Sequence, residues 1–379
     1  MIYLDNAATT RTDPRVLEEM LPYFSEYYGN PSAAYQFSQR IRHKVDACRD
    51  QVASCLGVSA SEIYFTSGGS ESDNWALSSA FEAGKEQGRD QILLSAIEHP
   101  AVYNTALALE RQGADVQFLP VDKEGVVHPE TLEKAVSSRT AIVSVMAANN
   151  EIGTLEPIGP LSRIAHEAGA LFHTDAVQAF GHIPLLLEGT QVDLLSASGH
   201  KFGGPKGVGF LYIKEGLPLM ALVHGGSQER NRRAGTENVP GIVGMAKAAQ
   251  LAMAQMPARA EKERMLRDHL IGRVSALLPQ VHLNGSYERR LPGNASLTFP
   301  GLSSETALIR LDMEGICASA GSACSTGALE PSRVLTAIGL SAQEASCTLR
   351  FSVSAQNTIE EIDHTASILI DMYQKFQHD

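Results

Sequence analysis

The sequence predicts an α/β fold, a large domain with a mainly parallel sheet wrapped by helices, joined to a smaller α+β domain. Three observations carry this. Short apolar runs alternate strictly with helical patterns between about residues 60 and 215. The strand-like runs are continuously apolar rather than alternating, as strands buried on both faces are. After about residue 240 the rhythm stops, and strands and helices mix.

Taken in order, "SEIYFTS" reads as a strand and "GGSESDNWALSSAFEAGKEQG" as a helix. "DQILLSAIEH" is a strand, and "PAVYNTALALERQG" a helix with Pro100 near its first position. "ADVQFLPV" is a strand, "HPETLEKAVSS" a helix and "TAIVSVMAAN" a strand. "PLSRIAHEAG" is a helix and "ALFHTDAVQ" a strand. "VDLLSASG" and "GVGFLYI" are two more strands. A long helical stretch opens at "PGIVGMAKAAQ" and links the domains near residue 256. The expected division is 13–255 for the large domain, with 1–12 and 256–379 forming the small one.

Bulk properties narrow the class. The chain has 379 residues, 44% hydrophobic and 20% charged, and a formal net charge of −12. That balance argues against direct nucleic-acid binding. No apolar run is long enough to span a membrane, and "MIYLDNAATT" has no signal-peptide character. The expectation is a cytoplasmic protein. Five cysteines, at 48, 55, 317, 324 and 347, make a poor disulfide framework and show no CxxC pair. No metal site is expected.

Ligands in open parallel sheets sit beyond the carboxyl ends of the strands. The polar residues there are Thr66 to Ser70, Glu98 and His99, Asn149 to Glu151, Asp175 and Gln178, and His200 with Lys201. "TSGGSES" has the make-up of a phosphate cradle at a helix start. Its plainer reading is a glycine turn with Ser70 as N-cap. Lys201, set among small residues in "SASGHKFGGPKG", is either a surface lysine or an amine that bonds a cofactor. A Schiff-base lysine and a carboxylate for a pyridine nitrogen are what pyridoxal 5'-phosphate requires of a protein, and Asp175 supplies the second. Asp175 also reads as a helix N-cap. Ser198 and His200 can donate to a phosphate. His99 is a core or helix-start histidine, or a flat group over the ring that moves protons. Gln178 and Asn150 are candidate donors to the ring.

"ASAGSACSTGALEPS" holds Cys324 among Gly, Ser and Ala, a setting suited to an exposed thiol nucleophile. The other four cysteines are expected to be buried small hydrophobes. Arg350 in "TLRFSVS" is a solvated strand residue or a clamp for a substrate carboxylate.

The ordered motifs "YLDNAATT", "GNPSA", "FTSGGSES", "EHPAV", "NNEIGT", "HTDAVQ", "SASGHKFGGPKG", "GGSQERNRRAGTEN" and "GSACSTGALEPS" resemble the NifS/IscS-like pyridoxal-phosphate cysteine desulfurases of fold type I. The resemblance implies conversion of L-cysteine to L-alanine through a persulfide on Cys324. It implies cofactor attachment at Lys201, with Asp175 on the ring nitrogen and His99 stacked on the ring. Gln178 and Asn150 would stand nearby. Gly69, Ser70, Ser198 and His200 would hold the phosphate, with Thr236 from the other subunit of a homodimer. Asn30 and Arg350 would grip the substrate carboxylate. The Cys324 segment resembles the longer one of the group I branch. Ser70 stands where threonine is usual, and Tyr35 and Ser38 replace a histidine and a glycine. The chain ends at Asp379, short of the tail by which IscS proteins dock an iron–sulfur scaffold. A tRNA-thiolating enzyme is therefore expected as acceptor at least as readily as a scaffold. An aminotransferase or lyase on the same site, or an idle adaptor, are the rival readings.

Overall fold

The computed structural model describes residues 1–320 and 331–378. Cys324 lies outside the described residues. The strands are β1 Ile2–Tyr3, β2 Ile63–Thr66, β3 Gln91–Ser95, β4 Asp115–Leu119, β5 Thr140–Ser144 and β6 Leu171–Asp175. They continue with β7 Leu194–Ser198, β8 Gly209–Ile213, β9 His282–Leu283, β10 Asn294–Thr298, β11 Ile316–Cys317 and β12 Thr348–Ser352.

Seven strands form the main sheet in the order β2-β8-β7-β6-β5-β3-β4. The run from β7 to β4 is parallel, and β8 is antiparallel to both its neighbours. Strands β2, β3, β5, β7 and β8 are buried throughout, as continuous apolar runs predict. Strand β4 departs from that expectation. It is the sheet edge, with Gln117 and Phe118 exposed, and among the described residues no strand pairs with it on its outer side.

Each face of the sheet buries its own helices. On one face, Trp75, Ala76 and Phe81 of the helix Gly69–Lys85 pack with Val102 and Leu109 of the helix Pro100–Glu110. On the other, Ile41 to Leu56 and Leu161 meet Val239 to Ala252. A further core joins Leu4, Leu266 to Val274, the antiparallel sheet β12-β10-β9, and Ile362 to Tyr373. The helix Val239–Leu277 runs through both cores and keeps its path past Pro257.

The N-terminal segment crosses between the cores. Strand β1 pairs with β11, and Leu4 O accepts from Ser352 N–H at 2.7 Å. Farther on, Thr10 N–H donates to His200 O at 2.9 Å and Asp13 N–H to Gly203 O at 3.0 Å. Residues 5–9 are thereby laid against the carboxyl ends of β6 and β7.

Glu156, on the loop after β5, is buried and accepts from Val127 N–H at 2.9 Å. Its other oxygen has no partner among the described residues. Burial raises its pKa from 4.5 to about 8. The folded chain therefore holds a proton that the unfolded chain releases. Its stabilising effect is full below pH 4.5 and is lost as pH rises to about 8. Glu156→Gln cannot ionise. Across that window wild type should lose up to about 5 kcal/mol relative to this variant. Urea denaturation at the two ends of the window checks this, and a constant gap between the proteins refutes it.

Candidate active site

A cavity of about 260 Å³ lies at the carboxyl ends of the parallel strands. The strand order reverses there, since β4 lies on one side of β3 and β5 on the other. His99 follows β3, Asn150 follows β5, Asp175 ends β6, and Ser198, His200 and Lys201 end and follow β7. All of them line the cavity, together with Gly69, Ser70, Gln178 and Arg350.

Lys201 closes a short 3₁₀ turn, Gly199–Lys201. Its Nζ donates to Ala7 O at 2.6 Å and to Ala8 O at 2.9 Å. Its carbonyl accepts from His182 Nε2 at 2.8 Å. The surface reading of this lysine fails, because the N-terminal segment covers it. The small neighbours are explained too. A Cβ on Gly204 would come within 2.7 Å of Gly199 O, so the turn closes only on glycine.

Asp175 is buried, and its Oδ1 accepts from Val177 N–H at 2.8 Å. A turn follows it, not a helix, so the N-cap reading fails. Burial pushes its pKa up, while His99, the Val177 N–H and Lys201 act downward. His99 satisfies both of its readings. It caps the helix Pro100–Glu110, with Nδ1 accepting from Ala101 N–H at 3.1 Å, and its ring also lines the cavity. That bond places the neutral ring's proton on Nε2. Burial lowers the His99 pKa, opposed by the Asp175 charge and helped by Lys201 and Arg333.

The helix Gly69–Lys85 begins without a side-chain cap. Gly68 is the cap residue, at φ 155°, and Ser70 sits one residue inside the helix. The N-cap reading of Ser70 is thereby corrected. The first amides and the Ser70 hydroxyl are left for a ligand. A Cβ on Gly69 would lie 2.6 Å from Val177 Cγ2 and 3.7 Å from Ser198 Cβ. His200 Nδ1 bonds Thr9 Oγ1 at 3.1 Å, and its pKa falls to about 4 through burial, then through Lys201 and Lys206. Gln178 Nε2 donates to Ala7 O at 3.0 Å.

Arg350 is 1% exposed, which overturns the solvated reading. Its Nη2 pairs with Asp5 Oδ1 at 2.7 Å, its Nη1 donates to Asn150 O at 3.0 Å, and its Nε has no partner among the described residues. Asn30 is not brought to the cavity. It is exposed, and its Oδ1 accepts from Ser32 N–H at 2.9 Å, closing a local turn. Thr236 is exposed in a separate depression with Gly207, Glu229 and Arg233. Cys48 and Cys347 are buried as expected, whereas Cys55 and Cys317 are only half-buried. Burial raises both Cys48 and Cys55 to about 11.

Residue-type reasoning missed Ala7, Ala8 and Asp5. The motif "YLDNAATT" was the signal, but its part is played mostly by carbonyls, which no side chain announces.

These residues fit pyridoxal phosphate. An uncapped helix start with glycine at the point of closest approach suits the phosphate. A buried carboxyl suits the ring nitrogen, and an amine faces the same space. Gly69→Ala should weaken pyridoxal-phosphate binding by about tenfold, since its methyl meets Val177. Absorbance titration of the apo protein checks this, and an unchanged dissociation constant removes the cradle from that place.

Comparison with known proteins gives the same picture. The family described as aminotransferase class-V matches residues 2–365. Cysteine desulfurase IscS of Clostridium botulinum is 49% identical over 370 residues, 97% of this chain and 93% of that one. Cysteine desulfurase IscS of Methanosarcina thermophila is 46% identical, over 100% of this chain and 93% of that one. A solved NifS-like protein superposes with a TM-score of 0.92 at 40% identity, covering 98% and 99% of the two chains. The chain belongs to the class-V aminotransferase family and, within it, to the pyridoxal-phosphate-dependent cysteine desulfurases.

Proposed function

We propose that Lys201, Asp175, His99, Arg350 and Cys324 divide between them the reaction of this cysteine desulfurase, L-cysteine to L-alanine with sulfur passing to an enzyme thiol. The observation that carries this reading is the sharing of one cavity by the Lys201 amine and the buried Asp175 carboxyl, at the ends of neighbouring strands.

When bound, pyridoxal phosphate supplies an electron-accepting ring that stabilises negative charge on the substrate Cα. Gly69, Ser70, Ser198 and His200 hold its phosphate, and Lys201 Nζ is its point of covalent attachment. Asp175 keeps the ring nitrogen protonated. Arg350 receives the substrate carboxylate, with Asn150 beside it. Asn30 is a weaker candidate for that role, given its exposure. Once released, the Lys201 amine takes the Cα proton and can return it, with neutral His99 as a second proton carrier. The Cys324 thiolate attacks the substrate sulfur. The Cβ–S bond breaks, an S–S bond forms, and Cβ gains a proton to complete L-alanine. The half-buried or buried thiols at 48 and 55, with their raised pKa values, are poor nucleophiles by comparison.

The persulfide sulfur then goes to an acceptor protein, an iron–sulfur scaffold or a tRNA-thiolating enzyme. The assembly is a homodimer. Its support is the position of Thr236, which lies outside its own chain's cavity as a residue serving the partner's phosphate must. Among the described residues no helix is long and apolar enough to cross a membrane.

Cys324→Ala should lower alanine formation from L-cysteine by at least about 100-fold while the cofactor stays bound. Full retained activity defeats the persulfide route and favours a lyase. Arg350→Ala should raise KM for L-cysteine by about 10–100-fold, with a smaller effect on kcat. Steady-state alanine assays separate the two parameters, and an unchanged KM removes Arg350 from substrate binding.

A further inference from the structure

A second carboxyl, unused in the reaction above, stands beside Asp175. Asp73 projects from the helix Gly69–Lys85, is 1% exposed, and lines the same cavity. Ligand atoms of Asp73, His99 and Asp175 all lie within 4.8 Å of one another. Among the described residues Asp73 Oδ1 has no hydrogen-bond partner.

The ring nitrogen nearest Asp73 is His173 Nε2, at 3.7 Å. That imidazole bonds Ser144 Oγ through Nδ1 at 2.8 Å and Ser196 Oγ through Nε2 at 3.0 Å. Burial takes its pKa down to about 3, so it is neutral. Glu98, also buried, adds a third carboxyl to the group. One of its oxygens accepts from Met146 N–H at 2.7 Å, and the other has no partner among the described residues. The groups around Asp73 are therefore Asp175, Glu98, the neutral His173, His99 and the Ser196 hydroxyl, which favours its ionised form against burial and the Asp175 charge.

Neighbouring carboxyls in a buried site do not all ionise. The charge settles where donors and cations are best. Asp175 has the Val177 N–H and faces His99 and Lys201, all of which favour its ionised form. Burial, then the Asp175 charge, pushes Asp73 well above the usual carboxylate range, and Glu98 follows for the same reasons.

We propose that Asp73 is a positioning residue for the cofactor ring, a neutral carboxylic acid that leaves the negative charge of this group on Asp175, opposite the ring nitrogen. This rests on the reading of Asp175 given above. Were Asp73 the ionised member, the charge would sit on the helix side and Asp175 would carry the proton.

Difference infrared spectroscopy of the holoenzyme at neutral pH tests it. Asp73→Asn should remove a protonated carboxylic-acid carbonyl band. Loss of carboxylate bands alone overturns the proposal. The pH midpoint of the cofactor's visible absorbance gives a second readout. It should be unchanged in Asp73→Asn, one neutral group replacing another, and shifted by at least about one pH unit in Asp175→Asn. A drop of about one unit in Asp73→Asn refutes the neutral form. An unshifted midpoint in Asp175→Asn defeats the Asp175 reading and the positioning role with it, whereas failure at Asp73 alone leaves that shift intact. Should Asp73→Asn not fold, ¹³C-aspartate labelling of the wild-type holoenzyme carries the same test. A protonated-aspartate band supports the proposal, and its absence overturns it.

Discussion

An ionised carboxylate buried at the end of a strand costs several kcal/mol unless donors or a cation face it. Asp175 is a carboxyl buried in this way, its pKa pushed up by burial, and the edge of the sheet is arranged around it. One backbone N–H bonds it, an uncharged imidazole stands close, and the Lys201 amine lies at the end of the next strand. Any group that fills the crevice has to answer that buried carboxyl.

The sheet topology supplies the rest of the arrangement. Parallel strands bring all their carboxyl ends to one edge, and the reversal of order at β3 opens a crevice there. The uncapped start of the helix Gly69–Lys85 adds amides to that crevice at a point where β2 and β8 hold it against β7. The uncapped helix start, the Asp175 carboxyl and the Lys201 amine thus sit on different segments whose spacing is set by the strands beneath them.

The N-terminal segment joins this edge to the second core. Leu4 packs with the small antiparallel sheet, while the carbonyls of Ala7 and Ala8 hold Lys201. Asp5, between them, pairs with Arg350 of β12. One stretch of chain therefore contacts both the Lys201 amine and the Arg350 guanidinium, two of the groups that line the cavity. A buried arginine left without Asp5 would face the same desolvation problem as Asp175, with the sign reversed.

Much of this was legible in the chain alone. Continuous apolar runs identified the central strands, because burial on both faces leaves no room for polar alternation. Two glycines before a helix marked the uncapped helix start at the cavity, and a lysine among small residues marked the amine that lines it. The segment around Cys324 was legible in composition only. Other features arise from contacts between residues far apart in sequence. The exposed edge at β4, the burial of Arg350 and the double duty of His99 depend on which elements become neighbours. So does the neutral state of His173, and so does the pairing of Lys201 with two alanine carbonyls. Side-chain chemistry is local and can be read along the chain, whereas desolvation and charge pairing are properties of the packed neighbourhood. Only the fold could decide which of several buried acids keeps its charge.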